Sequence, residues 1–368
     1  MNNLCCIFNF AAHYRSSIYH LIDDELKADF YIGDSVGQLK AMNYHSLKGY
    51  KRSLKNVHLF YLFNWQKGAI TTVFKHYQHY LITGDFFCLS TWIVLLLCKV
   101  MQKHTYLWTH GWYGREGRIK KWVKRVFFNL SSEVLLYGEY ARGLMIKEGF
   151  NSQKLHCIAN SLDYDTQLKI RNDLKKTNIY KEHFKNNHPN LIFVGRITQI
   201  KRIDMLIEAI VCLQKQGIPV NLTLVGDPMP EFDIKSFLKN RKLENHVWLC
   251  GACYDEHRLG EYFYNADACV SPGNVGLTSI HAFSYGCPVI THNNFSMQMP
   301  EFEIIKNGVN GAFYEYDNLD SLTDTIHRWI EYAHDKKNNI HKNCYNIIDS
   351  KFNPHYQIAL LKKIINKS

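Results

Sequence analysis

Two cationic side chains lie close together after an apolar segment, in the sequence FVGRITQIKR (193–202). Gly195 and Arg196 end the apolar segment, and Lys201 comes just before a stretch with helical periodicity. Arginine offers a planar fork of donors and lysine a point charge, and both suit a diphosphate held beside a helix N-terminus. A solvated basic turn has the same composition. Arg196 and Lys201 are therefore candidate diphosphate ligands, with that turn as the alternative.

A second candidate phosphate site is the uncharged turn PGNVGLTSI (272–280), which lies between a predicted strand and a predicted helix. Glycines let backbone N–H groups approach a ligand closely, and a helix that begins nearby favours an anion. The groups concerned are the N–H groups of Val275, Gly276 and Leu277, together with the helix start at Thr278. An ordinary β-to-α connection explains the same residues equally well.

Four apolar segments in the second half of the chain end in a turn that contains glycine. They are FVGR (193–196), LVGD (224–227), LCGA (249–252) and SPGNVG (271–276). Ligands of open α/β sheets bind outside the carboxyl ends of the strands. We therefore expect Gly195, Gly226 and the turn 272–280 at one edge of one sheet, where a single ligand can contact them all.

The first half of the chain has two further candidate positions at strand ends. His110 follows a strand-like segment in LWTHGWYGREG (107–117), where an imidazole can hydrogen-bond or shuttle a proton at neutral pH. His13 and Arg15 follow the N-terminal strand in AAHYRSS (11–17). A single histidine is more often structural than catalytic, and both segments also fit polar loops.

The elements that position these residues alternate between strands and helices. In the first half, the predicted strands are 4–10, 57–63, 80–85, 105–111 and 134–138, and the predicted helices are 17–27, 69–79, 87–102, 117–130 and 140–149. A second alternation follows from residue 191, and such alternation indicates α/β lobes with parallel sheets. We predict a first domain over 1–165, a linker over 166–190 and a second domain over 191–340. A C-terminal helix within 341–368 is expected to pack back toward the first lobe.

The composition excludes several classes of protein. The 368 residues suit two domains, and 46% hydrophobic residues are typical of a folded globular chain. A net charge of +11 indicates an anionic partner, but no nucleic-acid-binding motif accompanies it, so nucleic acid is not expected. The 11 cysteines show no disulfide framework and the start lacks the pattern of a secretory signal, which favours a cytoplasmic protein. The apolar run 86–100 is shorter than the roughly 20 residues that span a bilayer, so any membrane contact is expected to be peripheral.

The chain resembles the retaining glycosyltransferases of family 4, which have the GT-B fold. NLIFVGRITQIKRIDMLIEAI (190–210) is similar to the family's strand, loop and helix around its phosphate-binding Arg and Lys. GLTSIHAFSYGCPVIT (276–291) is similar to its donor-site helix and the turn that follows, and EFEIIKNGVNGAFYEYDN (301–318) to the next segment. The resemblance extends over nearly the whole chain and is densest over 191–316. It implies two Rossmann-like parallel-sheet lobes that face each other across an interdomain cleft, with the acceptor side in 1–165 and the nucleotide-sugar site in 191–340.

The chain departs from the family at two positions. The family has a Glu and, after seven residues, a second Glu, the first touching the donor sugar and the second the ribose; this chain has Gly273 and His281 there. His281 could still hydrogen-bond a ribose hydroxyl, and Asn274 could meet the sugar through its amide. The resemblance also places CIANSLD (157–163) at the entry to the linker, so the D-x-D formed by Asp163 and Asp165 is not expected to bind metal.

The resemblance implies transfer of a sugar from a nucleotide-sugar to a glycan or lipid-linked acceptor with retention of configuration, as in the synthesis of O-antigen or capsule-type polysaccharides. Arg196 and Lys201 would neutralise the leaving diphosphate, so no metal and no cofactor besides the donor is expected. His110 would contact the transferred sugar, with His13 and Arg15 on the acceptor side. A catalytically silent nucleotide-sugar-binding or partner subunit is the alternative, followed by a sugar-nucleotide epimerase. The expected location is the cytoplasm, with peripheral binding to an anionic membrane surface.

Overall fold

The computed structural model describes residues 3–34, 40–60, 62–228 and 233–367. The chain divides into two compact units, Met1–Asp163 with Phe352–Ser368, and Tyr164–Lys351. Each unit has one sheet covered by helices on both faces, which is the architecture that alternating strands and helices predict.

The first unit is built on an eight-stranded sheet in the order β4-β3-β2-β1-β5-β6-β7-β8. Its strands are β1 (Leu4–Phe8), β2 (Asp29–Gly33), β3 (Tyr50–Leu59), β4 (Phe63–Lys67), β5 (His79–Thr83), β6 (His104–Thr109), β7 (Glu133–Leu136) and β8 (Leu155–Cys157). Four helices cover it: α1 (Ser16–Leu26), α2 (Leu89–Val100), α3 (Arg118–Leu130) and α4 (Glu139–Lys147). Neighbouring strands pair in parallel except β3 and β4, which form an antiparallel pair at the edge.

The strand β1 shows why this sheet has a core on both faces. Its sequence LCCIF is buried throughout, as expected of a central parallel strand. Cys5 and Ile7 belong to the core on one face, and Cys6 and Phe8 to the core on the other. The two-residue period of a strand thus divides one apolar run between two cores.

The second unit has a six-stranded, entirely parallel sheet in the order β11-β10-β9-β12-β13-β14. Its strands are β9 (Asn190–Val194), β10 (Asn221–Val225), β11 (Val247–Gly251), β12 (Ala268–Ser271), β13 (Val289–His292) and β14 (Gly311–Tyr314). Its helices are α5 (Tyr164–Asp173), α6 (Ile179–Phe184), α7 (Ile203–Lys215), α8 (Ile234–Asn240), α9 (Glu256–Asn265), α10 (Thr278–Ser284), α11 (Leu319–Ala333) and α12 (Lys337–Ser350). The chain builds outward from β9 to β11, then returns beside β9 with β12, so the strand order reverses between β9 and β12.

The last helix, α13 (Pro354–Ile365), belongs to the first unit. It packs against α1, and Lys362 forms an ion pair with Glu25. Gln357 of α13 accepts a hydrogen bond from Ser161 at 2.5 Å and donates to the carbonyl of Ala159 at 2.9 Å. These buried hydrogen bonds hold α13 against the segment that contains Ala159 and Ser161, just before the first unit ends at Asp163.

The unit boundaries differ from the sequence-based division. The segment 166–190, expected as a linker, holds most of α5 and all of α6 and lies in the second unit. Tyr180 of α6 is buried and its hydroxyl donates to the carbonyl of Tyr262 at 2.7 Å. The segment 341–368 is shared between the two units, because α12 ends in the second unit and α13 lies in the first.

One predicted helix of the first half is wrong. The segment 69–79 forms only a short 3-10 turn at Ile70–Thr72, although its apolar residues have helical spacing. Lys103, itself buried, donates from Nζ to the carbonyls of Val73 at 2.7 Å and Lys75 at 2.8 Å. A distant side chain therefore satisfies carbonyls that a helix would have satisfied internally.

Two further strand assignments were incomplete. The predicted strand 57–63 is the end of β3 and the start of β4. β3 already begins at Tyr50, and its first half is polar and largely exposed, so it lacks the apolar pattern of a buried strand. Two short strands, β2 and β8, are not among the predicted ones. Among the described residues, no helix combines the length and apolar character needed to cross a membrane.

Candidate functional site

The candidate site of the second unit lies at the carboxyl ends of β9 and β12, where the strand order of the sheet reverses. The turns after β9, β10 and β11 contact one another directly. The N–H of Gly195 donates to the carbonyl of Val225 at 2.9 Å, and the N–H of Gly226 donates to that of Gly251 at 2.8 Å. The prediction that these glycine-containing turns share one edge is confirmed.

Gly273 brings the turn after β12 against the loop that contains Lys201. Its N–H donates to the carbonyl of Lys201 at 3.1 Å. A Cβ atom at Gly273 would lie 1.9 Å from the carbonyl oxygen of Ile200, so no side chain fits there. The family's first donor-site Glu therefore has no equivalent at this position, for a steric reason.

Lys201 and Asn274 form the central contact of the site. The Lys201 Nζ donates to the backbone carbonyl of Asn274 at 2.5 Å and to its Oδ1 at 2.8 Å. Burial lowers the pKa of Lys201 to about 8, although the carboxylate of Glu301 acts in the opposite direction. Arg196, the other predicted cation, is exposed at the same edge. The structure thus places one cation within the site and one at its surface.

The backbone of the turn 272–278 is arranged differently from the expectation at one residue. The N–H of Val275 donates to Oε1 of Gln298 at 2.9 Å, so it is not available to a phosphate. The N–H groups of Gly276 and Leu277 have no acceptor among the residues that the structure describes. Thr278, which begins α10, uses its hydroxyl to donate to the carbonyl of Val194 at 3.1 Å.

Gly276 has the left-handed φ of +55°, which glycine adopts without strain. A Cβ atom there would meet only Met299, at 3.8 Å, which is ordinary van der Waals contact. A Cβ atom at Gly276 would therefore meet no clash. A backbone without a side chain and with available N–H groups is what close approach of a phosphate requires.

His281, the predicted ribose contact, is already engaged within the protein. Its Nε2 lies 2.8 Å from Oε1 of Glu256, the first residue of α9. The same oxygen accepts from Tyr285 at 2.8 Å and from Gln167 at 2.9 Å. Despite its burial, the pKa of Glu256 falls to about 2 because of these hydrogen bonds, that of His281 foremost. A carboxylate therefore lies beside the position of the family's second Glu, supplied by another helix.

In the first unit, His110 and Arg15 line one cavity of about 430 Å³. They meet at Tyr137: the Arg15 Nη1 donates to its hydroxyl at 2.9 Å, and the His110 ring centroid lies 4.7 Å from its ring centroid. His13 is exposed, and its Nδ1 lies 3.2 Å from the carbonyl of Lys40. Of the two predicted acceptor-side residues, only Arg15 lines the cavity.

Burial lowers the pKa of His110 to about 4, with smaller contributions from the charges of Arg15 and Lys124. The imidazole is therefore neutral at pH 7. The expectation that it shuttles a proton at neutral pH is not favoured, because a pKa near 4 leaves the protonated form scarcely populated. A hydrogen-bonding role is compatible with this pKa.

Sequence reasoning missed Glu256, Gln298 and Tyr137. Each contacts the predicted residues from a distant part of the chain, and no local motif marks any of them.

Within the described ranges, no group of three or more His, Cys, Asp or Glu side chains is arranged to hold a metal ion. Metal independence remains a prediction.

Residues 175–346 match the family model described as Glycosyl transferases group 1. This part of the chain is a group 1 glycosyltransferase domain. It contains Lys201, Asn274, Gly276 and His281, so the candidate site lies inside the matched region.

The group 1 domain also has a curated relative. A 172-residue stretch covering 46% of this chain is 26% identical to the poly(ribitol-phosphate) alpha-N-acetylglucosaminyltransferase of Staphylococcus aureus. The match covers 33% of that relative's length, so this chain corresponds to about a third of it.

Solved structures match the whole chain at low sequence identity. The Anabaena protein HepE in complex with UDP superimposes with a TM-score of 0.74 at 15% identity, over 99% of this chain and 100% of that one. The lipopolysaccharide outer core galactosyltransferase WaaB, in its apo form, has a TM-score of 0.70 at 14% identity, over 99% of each chain. The expected GT-B fold, with two Rossmann-like parallel-sheet lobes, is confirmed.

Proposed function

We propose that this chain is a retaining glycosyltransferase that moves a sugar from a nucleotide-sugar to a glycan or lipid-linked glycan, in the synthesis of a surface polysaccharide of the O-antigen or capsule type. The observation that carries the proposal is the contact between Lys201 and Asn274 at the switch point of the group 1 domain. The UDP bound to HepE supports a uridine-diphosphate-sugar donor. The names of two similar proteins, a poly(ribitol-phosphate) transferase and a lipopolysaccharide outer core transferase, support a polymeric acceptor.

The site residues divide the work of holding the donor. Arg196 and Lys201 balance the charge that develops on the leaving diphosphate, and the N–H groups of Gly276 and Leu277 donate hydrogen bonds to a phosphate oxygen. Because Oδ1 of Asn274 accepts from Lys201, its amide NH2 is the end that offers donors to the sugar. Side-chain cations thereby take the place that a metal ion has in other phosphate sites.

His110 is proposed to hydrogen-bond the transferred sugar as a neutral imidazole. Its pKa of about 4 keeps it uncharged, so it adds no cation beside a reacting centre that becomes positive as the diphosphate leaves. The contribution is made mainly in the transition state, where the sugar changes shape and charge.

The test is direct. The purified chain is incubated with a panel of nucleotide-sugars and glycan acceptors, release of nucleoside diphosphate is measured, and the anomeric configuration of the product is read by NMR. We expect release that depends on acceptor, retention of configuration, and activity that survives a chelator when the acceptor carries no phosphate. An inverted product would contradict the retaining mechanism, and an absolute metal requirement would contradict the role of the side-chain cations.

Peripheral membrane binding is proposed for the surface of α3. Ile119 (82% exposed), Trp122 (67% exposed) and Val126 recur at helical spacing on one face, with Arg118 and Lys120 exposed next to them. Exposed apolar side chains beside cations fit an anionic bilayer. Sedimentation with vesicles should show binding to anionic but not neutral lipid, and loss of that binding in Trp122→Ser. Equal sedimentation of both proteins would contradict this surface.

A second candidate is a catalytically silent subunit that binds a nucleotide-sugar. It is favoured by the absence of both family carboxylates, at Gly273 and His281, and by the engagement of His281 with Glu256. Thermal stabilisation by a nucleotide-sugar without any release of nucleoside diphosphate, over a broad acceptor panel, would favour this candidate over the enzyme.

A further inference from the structure

The cavity of the first unit lies at the carboxyl ends of β1, β5 and β6, which are neighbours in the sheet. Its volume is about 430 Å³, enough for a monosaccharide. Aromatic rings form much of the wall, including Trp108, Tyr113 and Tyr137. Such rings suit the apolar faces of a sugar, so the remaining question is which polar group of a ligand the cavity receives.

Arg15 is a charged residue of this cavity. Its guanidinium lies 4.3 Å from the ring centroid of Trp108, and Nη1 donates to the hydroxyl of Tyr137. Its Nε and Nη2 are buried and have no hydrogen-bond partner among the described residues. The N–H groups of Nε and Nη2 point in the same direction, and this edge of a guanidinium accepts a carboxylate or phosphate through two parallel hydrogen bonds.

Two other cavity residues have polar atoms in the same condition. Trp108 is only 3% exposed, and its Nε1 is buried with no hydrogen-bond partner within the described part of the chain. Nδ1 of His110 is also buried and has no such partner there. A buried polar atom without a hydrogen-bond partner costs free energy, so three residues with such atoms around one cavity indicate that a ligand supplies the partners.

The charges around the cavity favour an anion. The lining cations are Arg15, Lys120 and Lys124, and the lining carboxylate is Asp85. Lys124 is paired with Glu116 at 2.6 Å, and Asp85 accepts from the N–H of Phe87 at 3.0 Å. Arg15 forms no ion pair among the described residues, so its charge lies uncompensated at the cavity wall.

We propose that this cavity binds an anionic sugar residue of the acceptor, with its carboxylate or phosphate on Nε and Nη2 of Arg15 and its ring against Trp108 and Tyr137. The assignment of the ligand to the acceptor rests on the proposed function. Binding of an anionic sugar to the cavity is independent of transfer and can be measured without a donor.

The experiment measures binding of three probes to the full chain by calorimetry: glucuronate, glucose 6-phosphate and glucose. We expect at least one of the two anionic sugars to bind at least tenfold more tightly than glucose, and their comparison distinguishes a carboxylate from a phosphate ligand. Equal affinities for all three probes would overturn the proposal.

The variant Arg15→Met keeps the length of the side chain and removes its charge. It should lose the preference for the anionic sugar while its affinity for UDP changes less than twofold, and Arg328→Met, on the exposed face of α11, should behave as the unaltered chain. Parallel loss of UDP and anionic-sugar binding would assign Arg15 to the donor phosphates and overturn the proposal. Arg15→Lys, which keeps the charge but not the fork, should retain part of the preference and serves if Arg15→Met fails to fold.

The outcome is separable from that of the proposed function. Binding of an anionic sugar through Arg15 with no transfer from any nucleotide-sugar would leave the cavity assignment intact and contradict the glycosyltransferase. Transfer to neutral acceptors, with no effect of Arg15→Met on acceptor KM, would support the enzyme and contradict the anionic acceptor.

Discussion

Nε2 of His281 lies 2.8 Å from Oε1 of Glu256, and Tyr285 and Gln167 donate to the same carboxylate oxygen. His281 occupies the position where the related family has a carboxylate, and Glu256 comes from a different helix. The imidazole and the carboxylate form a hydrogen-bonded pair in which each determines what the other can contact.

This contact predicts the behaviour of His281→Glu. Restoring the family's residue would place two carboxylates against each other, and like charges at this distance repel. We expect lower thermal stability and nucleotide-sugar affinity no better than that of the unaltered chain. His281→Ala should weaken donor binding by about 1 kcal/mol, typical of one hydrogen bond. Calorimetry and thermal unfolding check both, and an improved affinity of His281→Glu would contradict the proposed coupling.

The two cations should contribute separately to diphosphate binding. Arg196→Ala and Lys201→Met each remove one charge-assisted contact of about 1.5 to 3 kcal/mol, so each should weaken UDP binding about tenfold or more. Lys201→Met should also loosen the turn that holds Asn274, whereas the exposed Arg196 should be replaceable without loss of stability. Arg328→Ala provides the control, and unchanged UDP affinity in both variants would remove the phosphate assignment.

The buried Lys201 predicts a pH dependence of binding. Its pKa of about 8 lies below the ordinary 10.5, so the free protein loses this cation as the pH rises through 8. A diphosphate favours the protonated form, and binding above pH 8 must therefore take up a proton. UDP affinity should fall above pH 8, by up to about tenfold per pH unit. Calorimetry between pH 7 and 9.5 measures this slope, and the same slope in Lys201→Met would show that another group titrates.

Gly276 should be required for the donor and not for the fold. Gly276→Val introduces a side chain at φ +55° into the open space beside the turn, so we expect UDP binding to be abolished in a folded protein. Gly308 is a matched control, since it has φ +74° and open space around its Cβ position. Gly308→Val should lose stability to a similar extent and keep its UDP affinity. Normal binding by Gly276→Val would mean that this turn only connects β12 to α10.

His110→Ala should lower kcat much more than it raises the KM for donor, because the proposed contact forms mainly in the transition state. Since the pKa of His110 is about 4, kcat of the unaltered chain should show no limb near pH 6.5 from this residue. The pH profiles of both proteins provide the check. A limb near pH 6.5 that disappears in His110→Ala would contradict the neutral role, and a change in KM alone would make His110 a binding residue.

Most of the fold could be predicted from the sequence, because strands and helices each impose a local period on apolar residues. The second unit illustrates this, since its strands and helices alternate as the sequence from residue 191 predicts. The errors occur where long-range contacts override the local pattern. Lys103 donates hydrogen bonds to the carbonyls of Val73 and Lys75. These bonds replace the ones that the carbonyls would have formed within the predicted helix.

The sequence by itself determined which residue types stand at the ends of strands β9 and β12: Gly195, Arg196 and the glycine turn 272–278. It could do so because apolar runs, glycines and charges mark where a strand ends. The tertiary structure alone decided what those residues can do. The loop at Ile200 excludes a side chain at Gly273, Gln298 occupies the N–H of Val275, and Glu256 engages His281. Burial lowers the pKa of Lys201, and two buried nitrogens of Arg15 have no acceptor among the residues that the structure describes. These properties arise from desolvation and from contacts between distant parts of the chain, and neither has a signature in the local order of residues.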